Sequence, residues 1–192
     1  MRERPILFQG AMVRAILAGE KTQTRRVVKN DREGLLDCEP TPAWDAFWQC
    51  VPCPYGVPGD QLWVRESHWW FKDQHDPVTG YFPPKLTAED VEYRADGDDG
   101  RKVWRPSIHM PRWASRIQLE ITGVRVEHLQ DINENDAEAE GVSEWARGAL
   151  SPEGQTADAS DQYRWLWEAI NGPDSWSANP WVWVVEFRRI KP

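Results

Sequence analysis

Apolar residues fall along this chain in short runs separated by long polar stretches, and the runs change period. "PILF" (5–8) has the length of a strand. "AMVRAILAG" follows with Val13, Ile16 and Leu17 at helical spacing, and Gly19 predicts a left-handed cap at the helix end. Residues 30–59 are rich in Pro, Asp and Gly and predict a long loop. "GVPGD" (56–60) is a turn, and "QLWVRES" (61–67) reads as the strand leaving it. Residues 71–90 predict a second loop. "VEYRA" (91–95) predicts a short strand, with "DGDDG" (96–100) as its turn.

The clearest strand is "RIQLEITGVRVEHL" (116–129). Ile117, Leu119 and Ile121 alternate, then the phase slips by one to Val124 and Val126, so Gly123 marks a bulge. "INENDAEAEGV" (132–142) predicts a short helix capped by Asn133 and stopped by Gly141. "SDQYRWLWEAING" (160–172) predicts a second, with Tyr163, Leu166, Trp167 and Ile170 on one face. "WVWVVEFRRI" (181–190) is apolar on both faces at first and predicts a central strand. The sum is an α+β chain: a curved mixed β-barrel, closed or half closed, with a few short helices and long loop insertions.

Composition refines this. With 192 residues, the chain predicts one domain (1–192) with insertions at about 30–58, 66–90 and 143–160. No apolar run approaches the ~20 residues of a membrane helix, and Arg14 and Glu20 interrupt any signal-peptide core. The expectation is a cytoplasmic protein with no membrane partner. Cys38, Cys50 and Cys53 are too few for a disulfide framework. "CVPC" has the spacing of half a zinc site, but a structural zinc wants four ligands, so no metal and no cofactor is expected.

The net charge of −8 argues against nucleic acid only until its distribution is read. Residues 1–30 carry seven Lys/Arg against two acids, and residues 101–119 carry five and no acid. Residues 127–168 hold eleven acids against two bases, so the acidity is concentrated there. Two basic stretches that meet in space suit phosphates. Among the thirteen tryptophans, Trp104 and Trp113 flank the second stretch and are the best candidates for stacking on bases. Trp165, Trp167, Trp181 and Trp183 lie on periodic elements and read as core.

The candidate chemistry begins at "GEKTQTRR" (19–26), which sets Gly19, Lys21 and Arg26 at the spacing G-x-K-x4-R. This stretch resembles the signature of the ASCH domain, a relative of the PUA RNA-binding barrel. "PGDQLWVRES", "YRAD", "WRPSIHMPRWASRI", "INENDAEAEGV" and "NPWVWVVEFRRI" extend the likeness from Pro5 to about Ile190, toward the ASCH proteins of phages and prophages. The resemblance implies a PUA-like fold with a cleft for a nucleoside or RNA. It also implies an amidohydrolase that removes the acetyl group of N4-acetylcytidine, with its lysine, threonine and glutamate falling on Lys21, Thr24 and Glu140. Other members are ribonucleases.

The residue types suffice for that chemistry. A threonine hydroxyl needs a base, and Lys21 serves as one only if burial and the neighbours Arg25 and Arg26 lower its pKa from ~10.4. Glu140 then protonates the leaving nitrogen. In an extended strand Lys21 and Thr24 point to opposite faces, so they meet only if the segment curls after Gly19; otherwise Thr22 or a water is the better nucleophile. Arg25, Arg26 and Arg112 are expected to orient the substrate. "VRESHWW" adds Arg65 and, as a rival acid or base, Glu66. "WRPSIHMPRW" adds Trp104, Ser107, His109, Arg112 and Trp113. His109 with Lys21 would serve a metal-independent ribonuclease. A non-catalytic RNA-binding module is the remaining alternative.

Overall fold

The computed structural model describes residues 1–29, 52–70, 87–143 and 158–190. Cys38 and Cys50, and most of each expected insertion, lie outside the described residues. The elements run β1 (Glu3–Leu7), α1 (Gly10–Ala18), β2 (Gln23–Val27), β3 (Gln61–Arg65), β4 (His68–Trp70) and β5 (Val91–Tyr93). Then come β6 (Gln118–His128), α2 (Glu134–Ala139), α3 (Ala159–Asn171) and β7 (Trp181–Ile190). The α+β class with a mixed sheet is as expected.

Five strands form one sheet in the order β1-β3-β6-β7-β2, parallel between β1 and β3 and antiparallel elsewhere. β7 is interior, between β6 and β2, and its residues explain why. Trp183, Val185 and Phe187 enter the main core with Ile6, Leu62, Leu119 and Ile121, while Val182 and Val184 pack under α2 and α3. A strand buried on both faces must be apolar on both. The register of β6 on β7 shifts between Ile121 and Gly123, as the phase slip predicts. The bulge keeps Val124 and Val126 on the core face already used by Ile121. Gly123 also admits Glu186, since a Cβ there would lie 2.5 Å from a Glu186 carboxylate oxygen.

The ring is not closed among the described strands. β1 and β2 are the two edges of the sheet, and what bridges them is a side chain: the Arg26 guanidinium donates to the Leu7 carbonyl at 2.7 Å. The Phe8 ring, with Arg26 Cζ 5.3 Å and Lys21 Nζ 5.7 Å from its centroid, fills the space where a ladder would join them. β4 and β5 form a separate ribbon over a small core of Trp70, Val91, Tyr93, Met110 and Ala114.

Sequence expectation missed β2. "QTRRV" has no apolar periodicity, yet three of its residues are buried, and polar partners rather than oil take up that burial. The helices are as read. Gly19 caps α1 in the left-handed region (φ 81°), and the Asn133 side chain accepts from the Asp136 N–H to cap α2. Asp158 caps α3. Ile170, expected on the buried face of α3, is 39% exposed.

Gly19 and Gly141 hold similar backbone conformations in different surroundings. A Cβ on Gly19 would meet open space, whereas one on Gly141 (φ 77°) would lie 2.8 Å from Ala15 Cβ and 2.9 Å from Lys21 Cβ. Gly19→Ala is therefore expected to cost about 1–2 kcal/mol, the penalty of a left-handed L-residue. Gly141→Ala should cost about 1–3 kcal/mol more from overpacking. Urea unfolding of both variants checks this, and equal destabilisation would show that α2 does not approach α1 so closely.

Candidate functional site

Beyond Gly19 the chain folds back on the end of α1. The N–H groups of Glu20 and Lys21 both donate to the Ala15 carbonyl, at 2.9 and 3.1 Å. Lys21 thus precedes β2 and lies outside its two-residue alternation. Its side chain is buried, with the residue 2% exposed. The ammonium donates to Glu140 twice, to Oε2 at 2.7 Å and to the main-chain carbonyl at 2.8 Å. Glu140 is the C-cap of α2 and is 3% exposed.

Within β2, Gln23 and Arg25 face α2. Gln23 Nε2 donates to the Asp136 carbonyl at 2.9 Å. The fully buried Arg25 guanidinium reaches Glu140 Oε1 at 3.3 Å, Asp136 Oδ2 at 3.1 Å and Glu127 Oε1. From β6, Arg125 meets Glu127 at 2.9 Å, Asp136 at 3.1 Å and Glu186. The cluster alternates in sign, which is how buried charges are tolerated.

Beside this cluster lies a cavity of about 190 Å³. Thr24, Arg25 and Arg26 of β2 line it, with Glu140, Met12 of α1, Tyr55, and Tyr163, Leu166 and Trp167 of α3. Exposed Lys29, Ile170 and Asn171 lie at its mouth. The structure therefore brings Lys21, Thr24, Arg25, Arg26 and Glu140 to one place, with Lys21 behind Glu140 rather than in the wall.

Burial moves the pKa of Lys21 below the ordinary lysine value. Glu140 opposes the shift, while Arg26 and Arg25 add to it. For Arg25, burial opposes the charge, but Glu140 and Glu127 outweigh it and hold the pKa above the usual arginine value. Burial, with Glu140 nearby, raises the Tyr163 phenol well above its ordinary value, so it stays neutral beside Arg25, whose Cζ lies 5.9 Å from its ring.

The other expected residues lie elsewhere. Thr22 is exposed, and its N–H donates to the Ala139 carbonyl. Glu66 is buried in a two-point pair with Arg116, at 2.9 and 3.0 Å. Burial raises its pKa against the pull of Arg116. Arg65 donates to the Met110 carbonyl and covers Trp63, 5.1 Å from its ring. Arg112 pairs with Glu3 and also approaches Trp63, at 5.9 Å. Ser107 and His109 form one 3-10 turn, and Arg112 and Trp113 begin the next. Trp113 is 41% exposed and packs on Trp70. Neither these nor Trp104 line the cavity. Sequence reasoning missed Tyr55, Tyr163 and Trp167 as wall residues. On α3 their spacing signals only a buried face. Among the described residues no group of three His, Cys, Asp or Glu could hold a metal ion, and no helix is long and apolar enough to cross a membrane.

Three solved structures align with nearly the whole chain. An ASCH domain from Lactobacillus crispatus JV V101 covers 98% of this chain and 79% of its own, at 14% identity and a TM-score of 0.41. The chain is similar to an ASCH domain. EF3133 from Enterococcus faecalis V583 covers 99% and 80%, at 11% identity and a TM-score of 0.41. The hypothetical protein PH0355 covers 99% and 100%, at 12% and 0.40. No family model and no curated protein matches the chain. Likeness at this level carries no argument about activity, which rests on the cavity itself.

Two expectations follow from the charge cluster. Arg25→Met leaves Glu140 with Lys21 alone and Glu127 and Asp136 with Arg125 alone, and should cost about 3–5 kcal/mol in urea unfolding. Lys21 gives a pH signature. The folded chain releases its proton at lower pH than the unfolded chain, where lysine titrates near 10.5. Between those two values the unfolded state holds more protons, so the contribution of Lys21 to stability rises with pH. The stability difference between wild type and Lys21→Met should therefore climb as pH approaches 10.5. A flat or falling difference would mean that the attraction of Glu140 outweighs burial.

Proposed function

We propose that the chain is a hydrolase acting on an N-acylated pyrimidine nucleoside or a similar modified base, with Lys21, Thr24 and Glu140 as its reacting groups. The observation that carries this reading is a cavity lined by both Thr24 and Glu140, with Lys21 buried behind Glu140 and paired to it. In a dry environment the pair has a useful second form. Moving one proton across the 2.7 Å between Nζ and Oε2 turns an ion pair into a neutral amine beside a carboxylic acid. That single transfer supplies both a base and an acid; burial favours it because neither product is charged, and Arg25, 3.3 Å from Glu140 Oε1, opposes it.

Each step then balances. The Thr24 hydroxyl attacks the amide carbonyl and its proton passes to the Lys21 amine, directly or through a water. The tetrahedral intermediate collapses, the ring-bound nitrogen leaves with the proton of Glu140, and the acyl group remains as an ester on Thr24. The pair is again ionic. Water hydrolyses the ester in a second round, and the acid departs. Arg25 and Arg26, which line the cavity, orient the oxygens of the substrate.

One observation favours a second reading. The Lys21 ammonium also donates to the Glu140 main-chain carbonyl, which is how a lysine closes a helix end for structural reasons. On that reading the cavity binds a nucleoside or RNA and performs no chemistry. Release of cytidine from N4-acetylcytidine, followed by chromatography, separates the two. The hydrolase reading expects turnover in wild type and a loss of about 10²-fold or more in Thr24→Val, Glu140→Gln and Lys21→Met. Full turnover in folded Lys21→Met would remove the assignment, and binding without turnover in wild type would leave the second reading standing.

A further inference from the structure

His68 does not line the cavity. It opens β4 and is fully buried, at 0% exposed. Its backbone is paired on both sides. In β5 it lies opposite Tyr93. On the other edge it exchanges two hydrogen bonds with Arg105: the His68 N–H donates to the Arg105 carbonyl at 3.2 Å, and the Arg105 N–H donates back at 2.8 Å. The imidazole Nδ1 is 3.0 Å from the Glu66 carbonyl oxygen. A carbonyl only accepts, so Nδ1 carries the proton and Nε2 presents a bare lone pair. That nitrogen is buried and has no partner among the described residues.

A proton on Nε2 would create a buried N–H without an acceptor and a buried charge without a counter-charge, and both are costly. The neighbours add to the cost. The ring stacks on Trp70 at 4.5 Å, and Trp70 already carries the Arg105 guanidinium, 4.6 Å from its ring. The charged and titratable groups acting on the imidazole are Arg105, His109 and Arg65, all of them basic. Glu66 is engaged by Arg116, which also holds Asp96. Tyr93 gives its hydroxyl to the Ala114 carbonyl. Burial accordingly pulls the imidazole below the ordinary histidine value; the Glu66 carbonyl opposes the shift, and Arg105, His109 and Arg65 add to it.

The fold decides what such a proton would loosen. The β4–β5 ribbon has a core of its own, Trp70, Val91, Tyr93, Met110 and Ala114, apart from the two cores of the five-stranded sheet. A unit with a separate core can open while its neighbour stays closed. The bonds at its margin are those of His68 with Arg105 and that of the Arg94 N–H on the Ser67 carbonyl, at 2.9 Å.

We propose that His68 is a proton-operated clamp: neutral, it ties the start of β4 to Glu66 and Trp70, and protonated it releases the β4–β5 ribbon and the Arg105 segment while the five-stranded sheet stays folded. The clamp requires no activity of the cavity. Its sign follows from proton counting. Between ~6.5, the value of an exposed histidine, and the lower value of the closed form, the open ribbon holds more protons than the closed one, so falling pH favours opening. Glu66 works the other way, because burial raises its carboxyl and the closed form holds that proton more firmly. The part played by His68 is therefore a ratio, wild type to His68→Phe, in which Glu66 cancels.

The test is amide exchange of the full chain, followed by NMR from about pH 7.5 to about pH 5 with intrinsic rates divided out. At the Arg105 and Arg94 amides the opening constant of wild type relative to His68→Phe should rise toward tenfold for each pH unit below ~6.5. At the acid end those amides should exchange at least tenfold faster than Val184 and Val185 of β7. The ring nitrogens of His68, read in wild type alone, guard against a variant that fails to fold: at pH ~6.5, where an exposed histidine is half protonated, His68 should still be neutral with its proton on Nδ1. A ratio that does not change with pH, or a closed form in which His68 is already half protonated at that pH, would overturn the clamp. So would equal exchange in the ribbon and in β7, since the proton would then unfold the whole chain and release no separate unit.

Discussion

A lysine ammonium removed from water has to be surrounded by oxygen, and the middle of this structure is arranged around that requirement. Lys21 obtains two oxygens from one residue, Glu140. To do so, the end of α1 and the end of α2 must meet, and each chain must turn sharply where it arrives. Gly19 turns the first and Gly141 the second. At Gly141 the missing side chain is also needed for space, because α2 lies against Ala15 and Lys21. The backbone records the same junction, with Thr22 N–H on the Ala139 carbonyl. Removing one partner of such a pair costs far more than the pair contributes, since the other is left buried and charged. That asymmetry makes the junction rigid.

Much of this was legible in the residues, for reasons that can be named. The β6 bulge follows from apolar positions that change parity at Gly123, and the interior place of β7 from apolar residues of both parities. Gly19, Asn133 and Gly141 are punctuation with a fixed conformational meaning. Strand β2 was hidden because "QTRRV" is stabilised by ion pairs and sheet hydrogen bonds, and no hydropathy pattern encodes an ion pair. The α3 wall was hidden for the opposite reason: Tyr163 and Trp167 are periodic and buried, as core residues are, and only the cavity beside them distinguishes a wall from a core.

The second basic stretch shows how a suggestive composition can divide in space. Trp63 is approached by Arg65 and Arg112, Trp70 by Arg105 at 4.6 Å, and Tyr93 by Arg116 at 3.9 Å. These cations cover aromatic faces of their own protein. The Glu66–Arg116–Asp96 group fixes the residues after β3 to the 3-10 turn at Arg94–Asp96, and so braces the β4–β5 ribbon. The same residue types that would stack on a base here stack on one another.

At the cavity the charges are not spent on covering aromatic faces alone. A protein that needed only stability would fill such a space with apolar groups, since a well-packed hydrophobic replacement of buried ions is often neutral or better. Here the chain keeps a lysine with a lowered pKa and an arginine flanked by acids beside an open space. The Lys21–Glu140 pair is already neutral as a unit, so it adds no net charge to the cavity. The charge at the cavity mouth and the protons of the buried pair therefore reside on different side chains, Arg26 and Lys29 for the first and Lys21 and Glu140 for the second. Substitutions at one set can change the charge of the mouth while leaving the proton inventory of the other as it is.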